Sequence, residues 1–103
     1  MRENKYRYLV LRLTREFSSL EAVEEHIRKC ILLLFGVYGL SCTLPRVIYK
    51  SKEGMVVVRV KREGVKILRA SLLLDTTNSI IVVKTTGTTR KAKRIADSIQ
   101  QKQ

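Results

Sequence analysis

The 103-residue sequence predicts an α+β sandwich, a β-α-β-β-α-β chain order extended by a terminal helix. Three observations predict it. Short segments rich in Val, Ile and Leu occur at four places with the alternation of strands. Between and after them lie stretches whose apolar residues recur at helical spacing. One Pro and five Gly punctuate the chain, with no repeat or low-complexity tract to suggest another architecture.

The elements follow in order. Tyr6 to Leu13 reads as a strand, because Leu9, Leu11 and Leu13 alternate with Tyr8, Val10 and Arg12. Ser18 and Glu21 have the S-x-x-E spacing of a capping box and open a helix. Its apolar stripe is Leu20, Val23, Ile27, Cys30, Ile31 and Leu34, and Gly36 is expected to close it. Glu24–Arg28 and Glu25–Lys29 stand four apart with the acid first, an order worth about 0.2–0.5 kcal/mol per pair. After Pro45, Arg46 to Lys50 forms a short strand, Ser51 to Gly54 a turn, and Met55 to Arg62 the returning strand of a hairpin. Gly64 to Leu74 is a second helix with Val65, Leu68 and Leu72 inward. Asp75 to Ser79 turns the chain into a last strand, Ile80 to Thr86, and a helix from Thr89 to Gln100 ends it. This is the ferredoxin-like plan shared with RNA recognition motifs. The length suits one domain over residues 1–103 with a single core. In that plan the first and third strands are central and the two middle helices cover one face, met by Val56, Val58 and Val60. The other face is expected to be open, displaying Met55, Val57, Arg59 and Lys61 with Tyr8, Arg12 and Lys84.

Charge points to function. Twenty-one Lys and Arg against nine acids give +12, unevenly distributed. Residues 16–45 carry two bases and four acids, whereas 46–69 carry eight bases and two acids, and 88–103 five bases and one acid. Like charge at this density repels itself unless an anion shares it. Nucleic-acid phosphate is the usual anion, and an acidic membrane surface the alternative. No apolar run approaches the roughly 20 residues of a membrane helix, and the charged Met1 to Arg7 stretch lacks a signal-peptide core, so a cytoplasmic protein is expected. Cys30, Cys42 and the single His26 fall short of four zinc ligands. Both cysteines are read as core residues, His26 as a surface residue, and no metal or catalytic group is assigned, since the acids do not cluster.

The terminal helix is the most informative element. At 100° per residue, Ala92, Ile95, Ala96 and Ile99 share one side, while Arg90, Lys91, Lys93 and Arg94 fall within about 160° of arc on the other. Cations in a first turn oppose the helix dipole. A phosphate docked there, with Thr88 and Thr89 as further donors, relieves the conflict. The third strand has none of the stacking aromatics of an RNA recognition motif, so contacts to phosphate and shape are expected instead of base stacking. The candidate RNA-binding residues are therefore Arg12, Arg59, Lys61, Lys84, Thr88, Thr89, Arg90, Lys91, Lys93 and Arg94. Leu32, Leu33, Phe35, Val37, Tyr38 and Leu40 widen the apolar surface at the end of the first helix. They belong either to the core or to a protein–protein interface.

Three runs carry a resemblance: Leu34-Phe-Gly-Val-Tyr-Gly-Leu40, Val60-Lys-Arg-Glu-Gly-Val-Lys-Ile-Leu-Arg-Ala-Ser-Leu72 and Val82-Val-Lys-Thr-Thr-Gly-Thr-Thr-Arg-Lys-Ala-Lys-Arg94. In this order, and with the first strand, the chain resembles the ribonuclease P protein component 2 family over about residues 6–96. A sister subunit of the same enzyme shares the fold, and the two are not separated here. The resemblance implies a non-catalytic subunit of the RNA-based endonuclease that removes the 5′ leader of precursor tRNA. The RNA and its bound Mg²⁺ would carry the chemistry, and the chain itself would hold no cofactor. Implied partners are ribonuclease P RNA, precursor tRNA indirectly, and a larger barrel-shaped protein subunit, in a homodimer or a dimer of heterodimers. The implied location is cytoplasmic, or nucleolar in a eukaryote. Two other readings are a ribosomal-type ribonucleoprotein subunit and a small-molecule regulatory dimer, the second of which leaves the charge unexplained.

Overall fold

The structure, a computed structural model, describes residues 5–51 and 54–98. Strand β1 (Tyr6–Leu13) is followed by helix α1 (Leu20–Thr43), β2 (Arg46–Lys50), β3 (Met55–Lys61), a 3₁₀ turn (Arg62–Gly64), α2 (Val65–Leu73), β4 (Ile80–Thr86) and α3 (Thr89–Ser98). The sheet is antiparallel in the order β2-β3-β1-β4, so β1 and β3 are central as predicted. Ile99 and Gln100, expected in the last helix, lie outside the described residues, as do the two residues at the tip of the β2–β3 turn.

Alternation places Leu9, Leu11, Val56, Val58 and Val60 on one face, where they pack with Val23, Ile27 and Ile31 of α1 and Leu68 and Leu72 of α2. The ends of the predicted α1 stripe escape this core, Leu20 and Leu34 remaining exposed. Ser19, not Ser18, caps α1, its hydroxyl accepting from the Ala22 amide at 3.1 Å.

Gly36 closes the first helical segment of α1 as expected, but a second segment follows it directly. The glycine breaks the helix at φ 71°, and helical geometry then resumes to Thr43. Leu44 ends it in the left-handed region, donating its amide to the Leu40 carbonyl at 2.8 Å. The resumed segment is held by packing that the local pattern does not disclose. Thr43 is fully buried, and Gly64 sits so close that a Cβ there would meet the Cys42 carbonyl and Thr43 Cα at 2.6 Å. The 3₁₀ turn at Gly64 also explains why α2 starts one residue later than the pattern predicts.

The second sheet face is not open. Helix α3 lies across it, and Ala92 and Ala96 are fully buried against Val10, Met55 and Val57. The physical reason is plain: Val10, Met55 and Val57 are too apolar to be left in water, and two alanines one turn apart let a helix backbone approach closely.

Candidate nucleic-acid interface

Helix α3 is built to dock on one side and present charge on the other. The Thr88 hydroxyl oxygen caps it by accepting from the Lys91 amide at 3.2 Å, and its carbonyl accepts from Ala92 at 3.1 Å. The Thr86 hydroxyl, at the end of β4, donates to the same carbonyl at 3.0 Å and fixes the strand-to-helix corner. Farther along, Tyr49 of β2 donates its phenol to the Asp97 carboxylate at 2.8 Å, while Lys93 Nζ stands 5.3 Å above the Tyr49 ring. The hydrogen bond to Asp97 raises the Tyr49 pKa above its ordinary value.

Arg90, Lys91, Lys93 and Arg94 are all exposed, and among the described residues none of them forms an ion pair. The first turn of α3 contains no acid. With the Lys91 and Ala92 amides bonded to Thr88, the Thr89 and Arg90 N–H groups remain without a hydrogen bond among the described residues. These donors point to where an anion offsets both the dipole and the mutual repulsion of the cations.

The remaining candidates flank α3 on the same sheet face. Lys84 pairs with Val10, and Arg12 lies opposite Met55 and Ile81; both side chains are exposed. Lys61 is partly screened by Glu63 at 3.7 Å. Arg59 stacks its guanidinium 4.6 Å above the Tyr6 ring, and its buried Nε has no hydrogen-bond partner among the described residues. Directly across the ladder from Arg59 stands Arg46, the first residue of β2. Like charges placed opposite each other destabilise a sheet unless an anion joins them. Both line a cleft with Arg28, Leu40, Leu44 and Pro45. Sequence reading missed Arg46, because only the β2–β3 register shows that it faces Arg59.

Glu24 and Glu25 lie on the opposite side of the sheet, on α1. Glu24 holds Arg28 at 2.7 Å and also accepts from the Val47 amide at 2.9 Å. The expected Glu25–Lys29 pair is not formed; Arg28 instead reaches Glu25 at 3.9 Å. The cationic side of α3 and these α1 acids thus lie on opposite sides of the sheet, with Arg28 reaching the cleft that Arg46 and Arg59 line.

The apolar candidates divide. Leu33, Val37 and Tyr38 are 84, 76 and 78% exposed, Leu32 and Phe35 are about 40% exposed, and Leu40 turns inward onto the core. The break at Gly36 re-aims Val37 and Tyr38, whereas Leu32, Leu33 and Phe35 precede it and lie off the inward stripe of Val23, Ile27 and Ile31. Leu40 is half-buried and also lines the cleft beside Arg46 and Arg59. His26, expected on the surface, is half-buried and hydrogen-bonded from Nε2 to Asp75 at 2.8 Å. Among the described residues, no helix is long and apolar enough to cross a membrane.

No curated protein matches the chain. A family model does, over residues 7–96, which is nearly the whole span described above. The chain belongs to the Rpp14/Pop5 family of ribonuclease P protein subunits.

Proposed function

We propose that this chain is the component 2-type subunit of ribonuclease P and that it binds the catalytic RNA through the α3 side of its sheet. One observation carries the reading: within five consecutive positions at the start of a helix that docks through alanines stand four exposed cations, none in an ion pair among the described residues. Lys84, Arg12 and the Arg46–Arg59 pair extend the cationic surface, and Thr88 and Thr89 edge it. In this role the protein neutralises phosphates, so that the RNA folds and holds its Mg²⁺ at moderate salt. The RNA then removes the 5′ leader of precursor tRNA, with no catalytic group from this chain. The exposed Leu32, Leu33, Phe35, Val37 and Tyr38 take a larger barrel-shaped protein subunit, in a homodimer or a dimer of heterodimers. The complex would work in the cytoplasm.

Reconstitution tests it. Ribonuclease P RNA assembled with its other protein subunits should cleave precursor tRNA at lower Mg²⁺ when this chain is added. Replacing Arg90, Lys91, Lys93 and Arg94 with Ala should remove that gain without unfolding the chain. Leu33→Glu should leave RNA binding intact and weaken recruitment of the protein partner. An α3 variant that supports cleavage as well as the parent chain at every Mg²⁺ concentration refutes the RNA-binding assignment.

A further inference from the structure

On the side of the sheet away from α3, the fold gathers three side chains that the sequence scatters. His26 and Cys30 lie four residues apart on α1, and Asp75 follows α2. The nearest donor atoms of His26, Cys30 and Asp75 all lie within 4.8 Å of one another. We propose that these residues form a binding site for a divalent transition metal of the zinc type, with three protein ligands and a fourth position left to water.

The donor set is the first support. Imidazole, thiolate and carboxylate together suit zinc-type ions, and three protein ligands with one open position is an established coordination pattern. Bond lengths of about 2.0–2.3 Å at tetrahedral angles put ligand atoms about 3.3–3.6 Å apart. His26 Nε2 and Asp75, now 2.8 Å apart, would open to that spacing, and the wider separations, within 4.8 Å, would close to it. Charge is the second support: one thiolate and one carboxylate neutralise a dication, as a half-buried site requires. The third is the surrounding shell. Asp75 is held by the Thr77 amide at 3.1 Å and the Thr77 hydroxyl at 2.8 Å, and Phe17 packs edge-on to the His26 ring at 5.8 Å. Groups that orient ligands in this way tune a metal site. Arg15, which stacks 3.9 Å above the Phe17 ring, donates to Ser79 at 2.9 Å and not to the cluster.

Location agrees with this. Two of the three ligands, His26 and Cys30, belong to residues 16–45, a stretch of this cationic chain with more acids than bases. Burial pushes the Cys30 thiol up to about 11, helped by the charge of Asp75 and a hydrogen bond to it, so in the metal-free protein the thiol keeps its proton. On binding, that proton leaves to solvent as the metal–sulfur bond forms. The proton that Nε2 of His26 shares with Asp75 is lost to solvent while Nδ1 takes one up, so the neutral ring coordinates through Nε2, and Asp75 exchanges that hydrogen bond for a metal–oxygen bond.

The site does not depend on the RNA-binding reading, and its test uses the RNA-free chain. Protein stripped with a chelator would be titrated with Co²⁺ and then Zn²⁺. Saturation at one ion per chain is expected, with thiolate-to-cobalt charge-transfer absorption in the near-ultraviolet that Zn²⁺ abolishes. Cys30→Ser should remove that absorption and weaken binding at least about 100-fold, the upper end of what losing even an outer-shell partner costs. Cys42→Ser should retain both. His26→Gln, with folding checked by circular dichroism, reads the same site through a second ligand and should weaken Co²⁺ binding similarly. Absence of saturable binding, an absorption that survives Cys30→Ser, or unchanged affinity in folded His26→Gln would each overturn the proposal.

Discussion

The two faces of the sheet are covered by different means. Under α1 and α2, twelve buried residues form the core, most of them Leu, Ile and Val. Under α3 there are five among the described residues, and the helix contributes Ala92 and Ala96, with the half-buried Ile95 beside them. The first face draws most of its stability from apolar area removed from water. The second needs little area, because alanines bring the helix backbone close to Val10, Met55 and Val57. What α3 gives up in burial it keeps as four long cationic side chains in solvent. A helix can thus be placed by its smallest residues so that its largest ones face a partner.

The largest effect that should sharpen the contrast is on the first face. Leu68→Ala empties a fully buried site and should cost about 2–5 kcal/mol. Ala92→Leu, which overfills the α3 docking side, should cost less, about 1–3 kcal/mol. It should also expose α3 to protease while the rest of the domain stays folded. Denaturant unfolding of both variants, with limited proteolysis of the second, checks the order. If Ala92→Leu unfolds the whole domain as Leu68→Ala does, the faces are not energetically distinct.

A smaller effect concerns the far end of α3. The raised Tyr49 pKa means the folded state favours the protonated phenol that donates to Asp97. Its contribution is present below the ordinary tyrosine pKa of about 10 and is lost as pH rises through the higher folded value. Docking of α3 should therefore loosen at high pH. Comparing alkaline unfolding of the parent with Tyr49→Phe isolates this dependence, which the variant should lack.

Much of this was legible in the sequence, because strands and amphipathic helices are local patterns. Tyr6–Leu13, Arg46–Lys50 and Ile80–Thr86 have the predicted limits. The cationic side of α3 was equally readable, since Ala92 and Ala96 mark the docking side within one helix. What escaped depends on residues distant in sequence meeting in space. Gly36 is a helix stop, but the helical segment that follows it to Thr43 shows itself only where Thr43 is buried beneath Gly64. The apolar Val10, Met55 and Val57 hinted that their face needed a cover, but not that α3 would supply it. Arg46 acquires meaning only from its pairing with Arg59, and His26 and Cys30 only from Asp75, more than 40 residues later.

The salt dependence of RNA binding tests the central claim most directly. The logarithm of affinity for ribonuclease P RNA would be measured against the logarithm of salt concentration. The parent chain would be compared with the α3 variant lacking Arg90, Lys91, Lys93 and Arg94, and with an Arg28→Ala/Lys29→Ala control. Removing one phosphate-binding cation should flatten the slope by roughly 0.7 to 1 unit. The α3 variant should therefore flatten by several such steps and bind more weakly across RNA sequences. The control, with Arg28 already engaged by Glu24, should change little. A control that weakens and flattens as much as the α3 variant would place the RNA on the α1 side and contradict the account.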